Sequence, residues 1–198
     1  MNRIVIGIDL GSRMSGNTVL SIFDHGRIHF MRVDKNVCAD TFSLNAVQHY
    51  RPQHVFLDAP LSLPGIYRGI KDCKDYHFRK ADRELKAMSP MFLGGLTARA
   101  IELSDKMRKD DIPVFETYPR IMARKQGLEA LGYKMVKSSL KTCQDQLRAQ
   151  LNPKIQMEPR EMESWHHVDA FLAMLSALAF AAGAHEVYGD EKEGLIHV

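Results

Sequence analysis

The run Arg3-Ile4-Val5-Ile6-Gly7-Ile8-Asp9-Leu10-Gly11-Ser12 constrains this chain more than any other stretch. An apolar, largely β-branched segment of this length suits a strand buried on both faces of a sheet. It closes on one carboxylate and a glycine-bearing turn follows at once. Asp9 is therefore expected where a buried strand meets solvent, with Gly11 allowing the backbone or a ligand to come close. The design recurs twice. His54-Val55-Phe56-Leu57 ends at Asp58, and Ile112-Pro113-Val114-Phe115 ends at Glu116. Three strands that each end on an acid are the main functional signal.

The rest of the chain places those strands. A second strand is expected over Asn17–Phe23 and, after Asp24-His25-Gly26, a third over Arg27–Val33, giving a hairpin meander. Asp40 or Thr41 can cap a helix through Tyr50, which Pro52 stops. From Pro60 to about Asp111 the character changes. Helical spacing over Tyr76–Met88 and Leu93–Arg108 reads as a helical insertion, residues 60–111, lying over the sheet edge. Pro119 opens a short helix through Gln126, and Ser138 or Ser139 caps one reaching Leu151. Asn152-Pro153 and Glu158-Pro159 mark a loop before a helix over Trp165–His185 that is apolar nearly all round, hence a core helix. The expected fold is α/β: one domain, residues 1–198, with a mixed five-stranded sheet, helices on both faces and the helical insertion after the fourth strand. Strands one, four and five are the parallel ones, and ligands bind beyond the carboxyl ends of such strands.

Bulk properties narrow the class. A chain of 198 residues buries enough surface to need no staples. A net charge of +3 permits an anionic partner without demanding one. Cys38, Cys73 and Cys143 are scattered, odd in number and form no CxxC, which suits a reducing compartment. The N-terminal apolar run is too short for a signal peptide. The longest apolar stretch, Val168 to Ala184, falls short of the roughly 20 residues of a membrane span and carries Asp169 and Ser176. A soluble, cytoplasmic protein with no membrane partner is expected.

Carboxylates gathered at one sheet edge repel, each raising its neighbour's pKa, unless a cation relieves them. Mg²⁺ or Mn²⁺ suits such hard oxygen ligands, and a pair of ions about 3.5–4 Å apart can activate water and stabilise the leaving oxygen of a phosphodiester. Asp169, at the start of the core helix, is the fourth candidate beside Asp9, Asp58 and Glu116. These four are the expected metal ligands and catalytic residues of a metal-dependent hydrolase. Each acid taken alone also has a plain structural role: a turn, a helix cap, or for Asp169 the helix dipole. His166 and His167 are either proton carriers or ligands or, the simpler reading, exposed loop residues. Among nearby basic residues, Arg13, Arg79, Arg83 and Arg120 are the candidates for contacts to the phosphates of a nucleic-acid substrate, DNA or RNA. For the segment around Arg79 and Arg83, a solvated helix face explains the charges equally well.

The ordered set Gly7-Ile8-Asp9-Leu10-Gly11, Leu57-Asp58-Ala59-Pro60, Phe115-Glu116-Thr117-Tyr118-Pro119-Arg120 and His167-Val168-Asp169-Ala170 resembles the ribonuclease H-like nuclease family known as domain of unknown function 429. Arg79-Lys80-Ala81-Asp82-Arg83-Glu84-Leu85 and the tail Tyr188 to Ile196 are similar to that family too. The resemblance runs over nearly the whole chain. It implies a ribonuclease H-like fold and puts Asp9, Asp58, Glu116 and Asp169 on the family's acidic site. The chain departs from the pattern in carrying Asn17-Thr18-Val19 where a Trp often follows the first turn. Two other readings stand beside the nuclease. One is a ribonuclease H-like module that binds nucleic acid or a partner without catalysis. The other is a phosphotransferase of the actin and sugar-kinase type, whose first phosphate loop Gly7-Ile8-Asp9-Leu10-Gly11-Ser12 also resembles. That reading requires a second Gly-rich phosphate turn, which this sequence lacks.

Overall fold

The computed structural model describes residues 3–136, 138–157 and 162–198. Its framework is the β1 strand (Ile4–Asp9), which pairs antiparallel with β2 (Val19–Asp24) and parallel with β4 (His54–Asp58). β2 continues the meander to β3 (Arg27–Arg32), and β4 pairs in parallel with β5 (Val114–Glu116). Strands one, four and five are thus parallel to one another, as the alternation of strands and helices requires.

The sheet is larger than the five strands read from the sequence. It has eight, in the order β6-β3-β2-β1-β4-β5-β8-β7, where β6 is Gln156–Met157, β7 Val187–Asp190 and β8 Gly194–His197. The additions are short and carry no apolar run, so periodicity gives them no signal. β7 and β8 form a hairpin through Asp190–Gly194, and β8 docks in parallel on β5 through Glu116 and Ile196.

Helices cover both faces, and strand alternation sorts the core into two clusters. On one face Val5, Phe23 and Phe56 pack with α5 (Pro119–Lys125), α6 (Ser139–Ala149) and α7 (Trp165–Ala181). On the other, Ile6, Ile8, Leu20, Val55 and Leu57 pack with α1 (Ala39–Tyr50) and α4 (Gly95–Lys109). Between β4 and β5 the chain makes a 3₁₀ turn (Gly65–Arg68), α2 (Lys80–Leu85), α3 (Pro90–Leu93) and α4.

Element lengths differ from the sequence expectation where local hydrogen bonds compete with a helix. The helix expected over Tyr76–Met88 shrinks to α2, because the Asp75 carboxylate accepts from the N–H groups of His77 (2.8 Å) and Phe78 (3.0 Å) and holds a turn there. Lys86, in the left-handed region at φ 53°, ends α2. The helix expected to reach His185 stops at Ala181, with Gly183 at φ 68° turning the chain. The proposed Glu158-Pro159 punctuation lies outside the described residues. No helix among the described residues is long and apolar enough to cross a membrane.

α7 is buried on nearly every side, from His167 through Met174. It lies so close to β1 that a Cβ on Gly7 would collide with the backbone of Ala170, Ala173 and Met174. The fully buried Ser21 hydroxyl donates to Met174 Sδ at 3.3 Å across the same seam. Gly7→Ala must push α7 off the sheet. We expect it to lower stability by about 2–3 kcal/mol, read as the urea midpoint of the variant against the parent.

Candidate metal centre

The pleat decides which acids meet. Along β1, Val5 and Gly7 face α7, so Asp9 does too. Along β4, Phe56 faces α7 and Asp58 follows with the same parity. Asp9 and Asp58 are also register partners across the parallel ladder. Their carboxylates therefore leave adjacent strand ends side by side. Asp169 comes down on them from the second turn of α7, at the seam that Gly7 sets. One oxygen from each of Asp9, Asp58 and Asp169 lies within 4.8 Å of the others.

Glu116 does not join them, which corrects the four-acid expectation. It is in register with Leu57, one residue short of Asp58, so its side chain leaves β5 with the opposite parity. There it meets Arg79, whose side chain is 0 % exposed. Arg79 Nη1 and Nη2 donate to the two Glu116 oxygens at 2.6 Å each. Nε and Nη2 donate to Asp82 at 3.0 and 2.7 Å, and Nη1 also to Ser62 Oγ at 2.9 Å. All five guanidinium donors are used. Burial, with a push from Asp82, raises the Glu116 carboxyl, and Arg79 and the Leu61 N–H, 2.8 Å away, offset only part of that rise. Burial opposes the Arg79 charge, but Glu116 and Asp82 outweigh it and hold the guanidinium protonated. Arg79 is thus an internal counter-ion, not a phosphate contact. Nor does Glu116 cap α5.

The other proposed phosphate contacts are exposed and differ in position. Arg13 pairs with Asp40 at 2.9 Å, and Arg83 pairs with Asp75 at 2.6 Å with its guanidinium over the Phe78 ring. Neither borders the cleft beside the acids. Arg120 does, together with Arg124. Both approach Glu129, at 3.5 and 3.0 Å, so two cations share one carboxylate.

Three further groups complete the cluster: His166, for which the sequence favoured an exposed loop position, and Tyr133 and Lys134, which it did not mark. His166 Nδ1 lies 2.7 Å from Asp9 Oδ2, and Asp9 raises the imidazole pKa against the effect of burial. His166 and Asp169 are three apart on α7 and so share a face, a spacing visible in the sequence once both are placed on the helix. His167 instead turns inward, buried, with its Nδ1 2.8 Å from Ser164 Oγ. Tyr133 and Lys134 both donate to Asp169, one to each oxygen. They stand in the loop before α6, where Lys134 adopts φ 57°. Nothing in the sequence marks that loop as part of the centre.

The donor set is three carboxylates with no sulfur ligand, the hard oxygen chemistry that Mg²⁺ or Mn²⁺ prefers. Burial first, then Asp9 and Asp169, drive the Asp58 carboxyl well above its usual range. Burial raises the Asp169 carboxyl to about 6, against the pull of Lys134. A divalent cation would remove that repulsion. In comparisons with family models and with curated proteins, no match to the chain was found.

The two acid groups predict opposite responses. Raised carboxylate pKa values mean the folded state binds more protons than the unfolded one. The stability they carry is full at about pH 4 and falls as pH rises through about 6. Asp58→Asn, which removes the repulsion, should then raise Tm at pH 7 by about 2–4 °C, on the order of 1 kcal/mol in a chain of this size. The gain should vanish near pH 4, and Mg²⁺ should stabilise the variant less than the parent. Glu116→Gln should instead destabilise at pH 7, by roughly 1–3 kcal/mol, because its amide nitrogen cannot accept from Arg79 and leaves a buried donor unpaired. Thermal melts from pH 4 to 8, with and without Mg²⁺, check both signs.

Proposed function

We propose that this chain is a metal-dependent nuclease with a ribonuclease H-like fold, hydrolysing nucleic-acid phosphodiesters at the Asp9–Asp58–Asp169 centre. The observation that carries this reading is the convergence of two register-paired strand-end carboxylates with a third from a core helix. The β3-β2-β1-β4-β5 order at the middle of the sheet, with β1, β4 and β5 parallel, supports the fold. The three cysteines are free, in keeping with a reducing, cytoplasmic setting.

Asp9, Asp58 and Asp169 would hold Mg²⁺ or Mn²⁺. A cation so held supplies an activated water and offsets charge on the phosphate. The chain's own groups do the rest. Tyr133 and Lys134 fix the Asp169 carboxylate, and Lys134 adds a positive charge at the reacting end of the cleft. His166, hydrogen-bonded to Asp9 and half-exposed, is placed to carry a proton to or from the reacting oxygens. Arg120 and Arg124 line the cleft beyond Asp58, where they would position the backbone without reading sequence.

Labelled DNA, RNA, hybrid and branched substrates incubated in Mg²⁺ or Mn²⁺ test the reading. Cleavage that Asp58→Asn abolishes, and that His166→Ala slows by about 10²-fold or more, is the expected result. Absence of any metal-dependent cleavage across that panel overturns it.

A further inference from the structure

The cleft beside the acids has two unlike arms. One is a cavity of 620 Å³ bordered by Arg120, Arg124 and Lys134. The other, of 350 Å³, is walled by Leu10, Ala59, Met88, Leu93 and Leu96. Asp58, Tyr118 and Lys134 border both, so the arms meet at the carboxylates. The first arm carries two arginines against one glutamate, an excess of positive charge suited to phosphate. In the second, the polar groups Asp82 and Glu116 are already engaged by Arg79. What it offers is apolar surface. Thr117 also borders it, but its hydroxyl is buried and is not presented to the arm.

A continuous duplex cannot use an apolar recess beside a phosphate track, because its bases are stacked inside the helix. An unpaired nucleotide can, since every base has an apolar face and a polar edge. The recess lies near the lower end of the range for small-molecule pockets, about 300–1,000 Å³, which suits one nucleoside better than a run of stacked bases. We propose that the cleft is divided at Asp58 into a phosphate arm and a base arm, and that the base arm takes a single unpaired nucleobase. The preferred substrate is then a nucleic acid with a single-stranded or extruded nucleotide at the acids. This assignment rests on the nuclease reading for the identity of the chain being cut. With apolar walls, and with Asp82 and Glu116 already engaged by Arg79, the arm discriminates little among the bases.

The test uses the full chain in Mg²⁺ and reads binding, not cleavage. Calorimetry compares a nucleoside 5′-monophosphate with ribose 5-phosphate, which lacks only the base. The monophosphate should bind about tenfold tighter. Leu93→Trp, which fills the arm, should erase that preference while leaving ribose 5-phosphate affinity unchanged. Met88→Glu, at a side chain 61 % exposed and therefore tolerant, is the second variant and should do the same. A short single strand should likewise outcompete a blunt duplex of the same sequence. Equal affinity for the two phosphates, or a preference that survives both variants, overturns the base arm. The nuclease reading fails separately. A chain that cuts nothing yet prefers the monophosphate keeps the arm and loses the nuclease, and a chain that cuts without the preference does the reverse.

Discussion

The contact on which the rest depends is between two backbones: β1 at Gly7 and α7 at Ala170 to Met174. Helices normally stand off a sheet by the depth of a side-chain layer. Here the missing Cβ lets α7 settle onto the strand, and two features of the centre follow. Asp169 and His166 are brought down to the level of the strand ends, where Asp9 and Asp58 emerge. The carboxylates are also sunk below the surface, which raises their mutual repulsion, a repulsion that a cation would relieve.

The chain answers that repulsion in two ways, one permanent and one exchangeable. On one side of β5, Glu116 and Asp82 are neutralised by a guanidinium with no exposure and no spare donor. Such a pair locks the insertion to the sheet and cannot turn over with a ligand. On the other, Asp169 is countered by Lys134 and Asp9 by His166, both with half-exposed side chains. Those partners can move aside or take part in chemistry. Position on the pleat, not residue type, separates the acid paired inside the fold from the three that converge.

That distinction explains what could be read from the sequence. The meander, the parallel strands and the core helix followed from apolar runs and their stops. Asp9 and Asp58 were legible because each ends its strand with the parity of the residues packed on α7. Glu116 also ends a strand, but its face depends on a one-residue register that no local pattern encodes. Arg79 looked like a phosphate contact or a solvated cation because Glu116, which buries it, lies 37 positions away. His166 was recoverable from its i, i+3 relation to Asp169. Tyr133 and Lys134 were not, since loop residues reach the centre only through tertiary packing. The tail hairpin escaped because its strands rest on edge pairing and on Glu193, not on an apolar run.

Glu193 has a consequence in time. Its carboxylate receives the N–H groups of Gly65 (2.8 Å) and Lys80 (2.7 Å), and its carbonyl receives Ser62 and Arg68, so it ties the insertion from beneath. Gly65 and Glu193 are 128 positions apart. At roughly 5–20 residues per second of synthesis, the insertion waits on the order of 6–25 s for that tie. The stretch from Ser62 to Lys80 is therefore tied down late, after both strands that carry Asp9 and Asp58 have been made.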